Sequence, residues 1–306
     1  MSVLIVGAGA GGGYIGEQLI AAGRDVTFLV HPGTLKRLTR DGLRVRVGAD
    51  IQTIQVRAVA VDGLNGPYDV VLVAVRADAV ESVILDIDGA VGPRTGIVPI
   101  VNGMQHLSLL TAAFGQDRVL GATARLAASL LPDGTIDVFA PGIHMELGQL
   151  DGGDSDALDN TVAELDVDNV AVTLRSDVIS AMWEKFAFIT AAAAVTCLVG
   201  EQIGPIAQAD GGIDLARAIL AEVASVAEAE GYPLAAKARA GLDAILTDPT
   251  SALGPSMFRD LHANRPVEVG VLADLAALAR DHRIGTPLVD ASIVVIDVHN
   301  RRIGAP

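Results

Sequence analysis

A short run of core-type residues, Val3–Val6, breaks directly into "GAGAGG", and that junction constrains the fold more than any other feature of the chain. Gly7, Gly9 and Gly12 stand in G-x-G-x-x-G spacing, after a strand and ahead of a helical pattern that runs through Leu19 and Ala22. Gly7 allows a tight turn, Gly9 lets the backbone approach a pyrophosphate, and Gly12 lets helix and strand pack closely. Ala8, Ala10 and Gly11 complete a loop whose N–H groups, at a helix N-terminus, favour a phosphate. "DVTFLV" (25–30) reads as a second buried strand, so the opening is a βαβ unit of the dinucleotide-binding kind. Ordinary turn glycines are the competing reading, but they do not require this strand–loop–helix context.

Further buried strands are expected at "YDVVLVAV" (68–75) and "TGIVPIVNG" (95–103), with a helix around Ala79–Leu85 between them. "GLRVRV" and "IQTIQVRAVA" alternate in part and suggest a hairpin-like excursion. "VLGAT", "TIDVF", "HMELGQL" and "VAVTL" are read as separate strands. Past Ser176, an expected helix cap in "RSDV", the β-branched clusters thin out. Helical stretches follow at about 177–199, 212–230, 234–246, 255–263, 268–282 and 288–300. The expected architecture is α/β: a Rossmann-type doubly wound sheet over residues 1–175, then an all-α domain over 176–306.

Composition narrows the function classes. The chain has 306 residues, 51% of them hydrophobic but only 3% aromatic, so its cores are built from Ala, Val, Leu and Ile. A net charge of -15, without a basic stripe, argues against nucleic acid. The single cysteine, Cys197, cannot form an intrachain disulfide, and the first residues lack the pattern of a secretory leader; a cytoplasmic location is expected. The apolar run from Phe186 to Gly200 falls short of the roughly 18 residues of a membrane span. Six scattered histidines form no i, i+4 pair or cysteine cluster, so no metal site is expected. An exposed loop position is expected for one of them, His106.

Two features bear on chemistry. The second strand ends in "LVHPGTLKR", where an NAD-binding unit usually carries an acid for the ribose hydroxyls. His31, followed by Lys36 and Arg37, favours NADP instead, with His31 either touching the 2′-phosphate or standing as a solvated loop residue. Lys185 heads "WEKFAFITAAAAV" and is one of only three lysines. Phe188 and Ile189, one turn on, offer an apolar surround that would ease release of its proton to a ketone oxygen receiving hydride. A snorkelling lysine, its stem on the core and its amine in water, is the alternative.

Taken together, "GAGAGGGYIG", "VNG" (101–103), "WEK" (183–185) and "PSMFRD" (255–260) followed by Glu268 resemble the ketopantoate reductase (2-dehydropantoate 2-reductase) family, as does "IGTPLVD" (284–290). The resemblance implies a Rossmann domain, a helical second domain, and NADPH-dependent reduction of a 2-oxo acid to a 2-hydroxy acid, the activity of pantothenate biosynthesis. It places Lys185 as the general acid, Asn102 beside nicotinamide and substrate, Ser256 and Glu268 on the substrate, and Arg76 on a cofactor phosphate. Each has a plainer reading: an Asn-Gly turn for Asn102, a helix cap for Ser256, and a first-turn carboxylate for Glu268. Trp183 is read as a packing anchor at the domain interface rather than a substrate contact. The chain departs from the family where Ile189 and Ala193 replace substrate-binding asparagines and where His31 replaces an arginine. The first two make that part of the substrate wall apolar and suggest a less hydroxylated carbonyl substrate. An NADP-binding protein without turnover is the rival of another class, and a homodimer through the helical half is expected.

Overall fold

The ten strands found among the described residues, 1–304 of the computed structural model, are distributed over two sheets rather than one. In chain order they are β1 (Ser2–Val6), β2 (Asp25–Leu29), β3 (Leu43–Val47), β4 (Asp50–Ile54) and β5 (Arg57–Val59). Then come β6 (Tyr68–Val73), β7 (Val91–Pro99), β8 (Leu120–Leu130), β9 (Ile136–Gln149) and β10 (Val170–Leu174). The first sheet runs β5-β2-β1-β6-β7, and every pair in it is parallel. The chain winds outward from β1 to one side, then returns to place β6 and β7 on the other, giving a doubly wound sheet whose order reverses beside β1.

Burial on both faces explains the near-continuous apolar strands. Alternate residues of β1 enter different cores. Val3 and Ile5 pack with helix α1 (Ala10–Ala21), while Leu4 and Val6 pack with Val80, Val83 and Leu110. Those last residues come from α3 (Val80–Ile87) and α4 (Gln105–Phe114); α2 (Pro32–Asp41) precedes them in the chain. The core around α1 is closed on its far side by the second sheet, ordered β10-β9-β3-β4 with β8 also on β9. Ala122, Ala124, Ile136, Met145 and Leu147 of that sheet join Val3 and Ile5 in one cluster, with Leu158 and Leu165 of α5 (Asp156–Leu165). The single sheet expected from sequence is therefore two, because α1 is buried on more than one face and needs cover from both directions.

The expected hairpin excursion is the antiparallel pair β3–β4. "TIDVF" and "HMELGQL", read as two strands, are one strand, β9. β8 pairs along one edge of β9, so β3 and β10 share the other, at Ile136–Val138 and Ile143–Leu147. Pro141-Gly142 falls in the gap between them, where a missing proline N–H costs no ladder bond. The Gly142 N–H instead donates to the Tyr14 hydroxyl of α1, at 3.2 Å.

The chain divides between Ala181 and Met182, inside α6 (Val178–Val199). The Ala181 N–H donates to the Asp177 carbonyl, so the capping position falls on Asp177 rather than on Ser176. The second unit is helical: most of α6, then α7 (Ile203–Gln208), α8 (Gly212–Ala229), α9 (Ala236–Leu246), α10 (Ser256–His262), α11 (Gly270–Asp281) and α12 (Pro287–Arg302). α6 is long and apolar enough to cross a bilayer by length and composition, contrary to the shorter run counted from sequence. About two thirds of that window is buried within the structure, as in a core helix. From Thr190 to Cys197 each of its residues is buried, and the Ser292 hydroxyl of α12 donates to the Ala194 carbonyl at 3.1 Å.

Candidate active site

Register places the candidate cofactor residues of the first unit on one rim. Val6 pairs with Leu29 and Val73, and Val73 pairs with Pro99, so four parallel strands end in one row. Gly7, His31, Arg76 and Asn102 leave the sheet there, at the carboxyl ends where doubly wound folds bind ligands. The loop is tied to both neighbours: the Gly7 N–H donates to the Leu29 carbonyl, and the Ala74 N–H to the Val6 carbonyl.

The glycines differ in what surrounds them. Gly7 has φ +96°, and a Cβ there would lie 2.6 Å from the Ala74 carbonyl oxygen. A Cβ on Gly12 would lie 2.3 Å from the Gly7 carbonyl oxygen. One on Gly9 would meet nothing within 4 Å, so open space lies in front of the loop's midpoint. Gly9 is the N-cap of α1, with no side-chain cap, and no acid stands in the first helical turn. The first N–H groups of α1 are thus left to whatever occupies that space, and a pyrophosphate fits both the room and the donors.

Around the rim, His31 is the exposed N-cap of α2, whose first turn likewise carries no acid. Lys36 is exposed, whereas Arg37 donates to the Gly134 carbonyl at 3.2 Å. Arg76 is exposed and ion-paired with Asp78 at 3.0 Å. Asn102 is exposed just past β7, ahead of Gly103 at φ +99°. His106 is not on an exposed loop: it lies in the first turn of α4 and is 3% exposed.

In the helical unit, Lys185 and Ile189 lie one turn apart on α6 and are half-buried, as is Phe188. Ala193, a further turn along, is fully buried. Trp183 is 2% exposed, stacks on Tyr232 with ring centroids 6.4 Å apart, and meets Phe186 edge-on at 5.5 Å. It anchors α6 within this unit. Ser256 is exposed and opens α10, with Pro255 rather than Ser256 in the capping position. Glu268 is half-buried and lies two residues ahead of α11, not in its first turn, because the helix starts only at Gly270.

Comparison with known proteins decides the lineage. The family model described as ketopantoate reductase PanE/ApbA matches residues 3–152, and its C-terminal counterpart matches residues 177–299. The chain belongs to the ketopantoate reductase family. It is an oxidoreductase of that family's kind, acting on CH–OH groups. It is 28% identical to an uncharacterized oxidoreductase, YkpB, of Bacillus subtilis (strain 168), with 88% of each chain covered. It is 25% identical to a 2-dehydropantoate 2-reductase of Mesorhizobium japonicum, with 97% of each covered. Among solved structures, D-mandelate dehydrogenase bound to NADH and anilino(oxo)acetate superposes with a TM-score of 0.90 over all of both chains, at 17% identity. At that identity the likeness is one of fold alone.

Sequence reasoning missed two residues in the helical unit, His299 and Asn300 of α12, which bond to the segment before Glu268. Their partners lie more than thirty positions away in the chain, and no local spacing signals the contact.

Proposed function

We propose that this protein reduces a small 2-oxo acid to the corresponding 2-hydroxy acid, with NADPH as the hydride source and Lys185 as the proton donor. The observation that carries the reading is the rim itself: the Gly7–Gly12 loop, Arg76 and Asn102 leave adjacent parallel strands in one row, beside open space at Gly9. The nicotinamide cofactor supplies hydride to the carbonyl carbon. The proton goes to the carbonyl oxygen, and Lys185, a half-buried residue one turn from Phe188 and Ile189, is suited to give it. Asn102 orients the reacting end, and Ser256 and Glu268 hold the substrate. The absence of an acid at His31 and in the first turn of α2 supports NADPH over NADH.

A less hydroxylated substrate is the second reading, favoured by Ile189, which offers a partly exposed apolar surface one turn from Lys185. The NADH bound to D-mandelate dehydrogenase makes NAD the alternative cofactor for this chain.

Loss of NADPH absorbance with a panel of 2-oxo acids, ketopantoate included, tests the reaction and ranks the substrates. Lys185→Ala is expected to lower kcat roughly 100- to 10,000-fold while NADPH affinity stays within about twofold. Retained turnover in that variant would remove Lys185 from the chemistry. Absence of hydride loss with every acid, alongside tight NADPH binding, would identify a nucleotide-binding protein without turnover.

A further inference from the structure

Glu268 lies outside regular structure, so no helix or sheet ladder sets the direction of its side chain. The three residues before it are nevertheless held at several points. The chain leaves α10 through Asn264 at φ +49°, and the Arg265 N–H donates to the Asp260 carbonyl at 2.9 Å. The Arg265 guanidinium also bonds to the Asp260 carboxylate. Two adjacent residues of α12 then take hold of the segment from the other side. The Asn300 side chain accepts from the Val267 N–H and donates to the Val267 carbonyl, both at 2.9 Å. His299 Nε2 lies 3.0 Å from the Arg265 carbonyl oxygen. A carbonyl only accepts, so that nitrogen carries the proton, and Nδ1 accepts from Arg302 at 3.2 Å.

The two bonds of Asn300 imitate a strand pairing made by one side chain. They fix both peptide planes flanking the Val267 Cα, and Val267 itself is buried at 3% exposure. Because the Val267 carbonyl belongs to the peptide that enters Glu268, this clamp restrains the backbone from which the Glu268 carboxylate projects. The same helix is seated on α6, the helix of Lys185, through Ser292 and Ala194. Its other end is held by Glu222, whose carboxylate accepts from the Leu288 and Val289 N–H groups at 3.1 Å each.

We infer that Asn300 is a positioning residue for the reaction: its carboxamide clamps Val267 and thereby aims the Glu268 carboxylate at the substrate. This rests on the proposed role of Glu268, and the experiment separates the two. Asn300→Asp keeps the shape and the acceptor but replaces the donor with an oxygen facing the Val267 carbonyl; Asn300→Ala removes both bonds. Each is measured for kcat and KM with NADPH and the best 2-oxo acid of the panel, alone and combined with Glu268→Gln, alongside NADPH affinity and a thermal melt.

The expected result is that either Asn300 variant lowers kcat/KM by roughly tenfold to a hundredfold with NADPH affinity unchanged. In the Glu268→Gln background the same variants should have little further effect, since an aimed group that is gone cannot be misaimed. If Asn300 variants lower kcat/KM by the same factor with or without Glu268, Asn300 serves only the fold and the inference is overturned. Variants at Asn300 with wild-type kinetics, beside an impaired Glu268→Gln, overturn it while leaving the role of Glu268 standing. A kinetically silent Glu268→Gln removes that role, and this inference with it.

Discussion

Gly12 approaches Gly7 so closely that a side chain on the first would collide with the backbone of the second, a Cβ lying 2.3 Å from the Gly7 carbonyl oxygen. The obstacle is main chain, with no rotamer to change. Gly12→Ala is therefore expected to open the loop, weakening NADPH binding at least about tenfold, equivalent to roughly 1.4 kcal/mol. Fluorescence titration checks this, and unchanged affinity would show that the loop adapts without loss.

Gly13 meets a softer obstacle. A Cβ there would lie 2.4 Å from Ile136 Cδ1, the tip of a fully buried side chain in β9. Gly13→Ala should destabilise the protein by about 1–3 kcal/mol through overpacking. Ile136→Val removes that methyl group, so the double variant should be less destabilised than the sum of the single ones. Urea denaturation of the three variants measures the coupling.

Glu146 sets a pH dependence. It is 6% exposed and takes bonds from the Thr123 hydroxyl and from the guanidinium groups of Arg125 and Arg175, at 2.8–3.0 Å. Burial pushes its carboxyl upward, but these partners outweigh burial and hold it below the ordinary glutamate range. A depressed folded-state value means stability that is present above the unfolded pKa and lost as pH falls through the folded one. Glu146→Gln should cost about 1–2 kcal/mol near pH 7, and the gap from wild type should close in acid. Melting curves between pH 3 and 7 read this directly, and a gap that stays constant with pH would contradict it.

The parallel sheet was legible because its strands are fully buried and therefore apolar throughout, and the glycine loop because its spacing answers to steric contacts within a few residues. The second sheet was less so: Ile136–Gln149 is broken in sequence by Pro141-Gly142, and only the gap between β3 and β10 makes that break compatible with one strand. Local signals existed for two helices that the sequence reading does not place. Pro32 stands at the first turn of α2, and Ser155 caps α5 by accepting from the Leu158 N–H at 3.0 Å. α4 offers no such signal, since Met104 provides no side-chain cap, and His106 consequently reads as a loop residue. In the helical unit, Lys185 stood out as a charge on an apolar helix. Asn300 did not, because its significance lies in a backbone segment 33 residues away.

The glycines of α1 have a consequence for how the nucleotide loop is kept in shape. Gly11, Gly12, Gly13 and Gly16 each cost roughly 1 kcal/mol of helix propensity relative to alanine, so the segment has little tendency to be helical alone. Gly12 and Gly16 face Ile5 and Phe28 of the parallel sheet, and Gly13 faces Ile136 and Leu43 of the other. The helix persists because it is gripped from both sides. Fraying of the second sheet, which contributes no strand to the rim, would release α1 and dissolve the phosphate-binding N-terminus with it, so solvent exchange at the bonded amides of α1, from Gly13 onward, should speed up as β8 and β9 lose integrity.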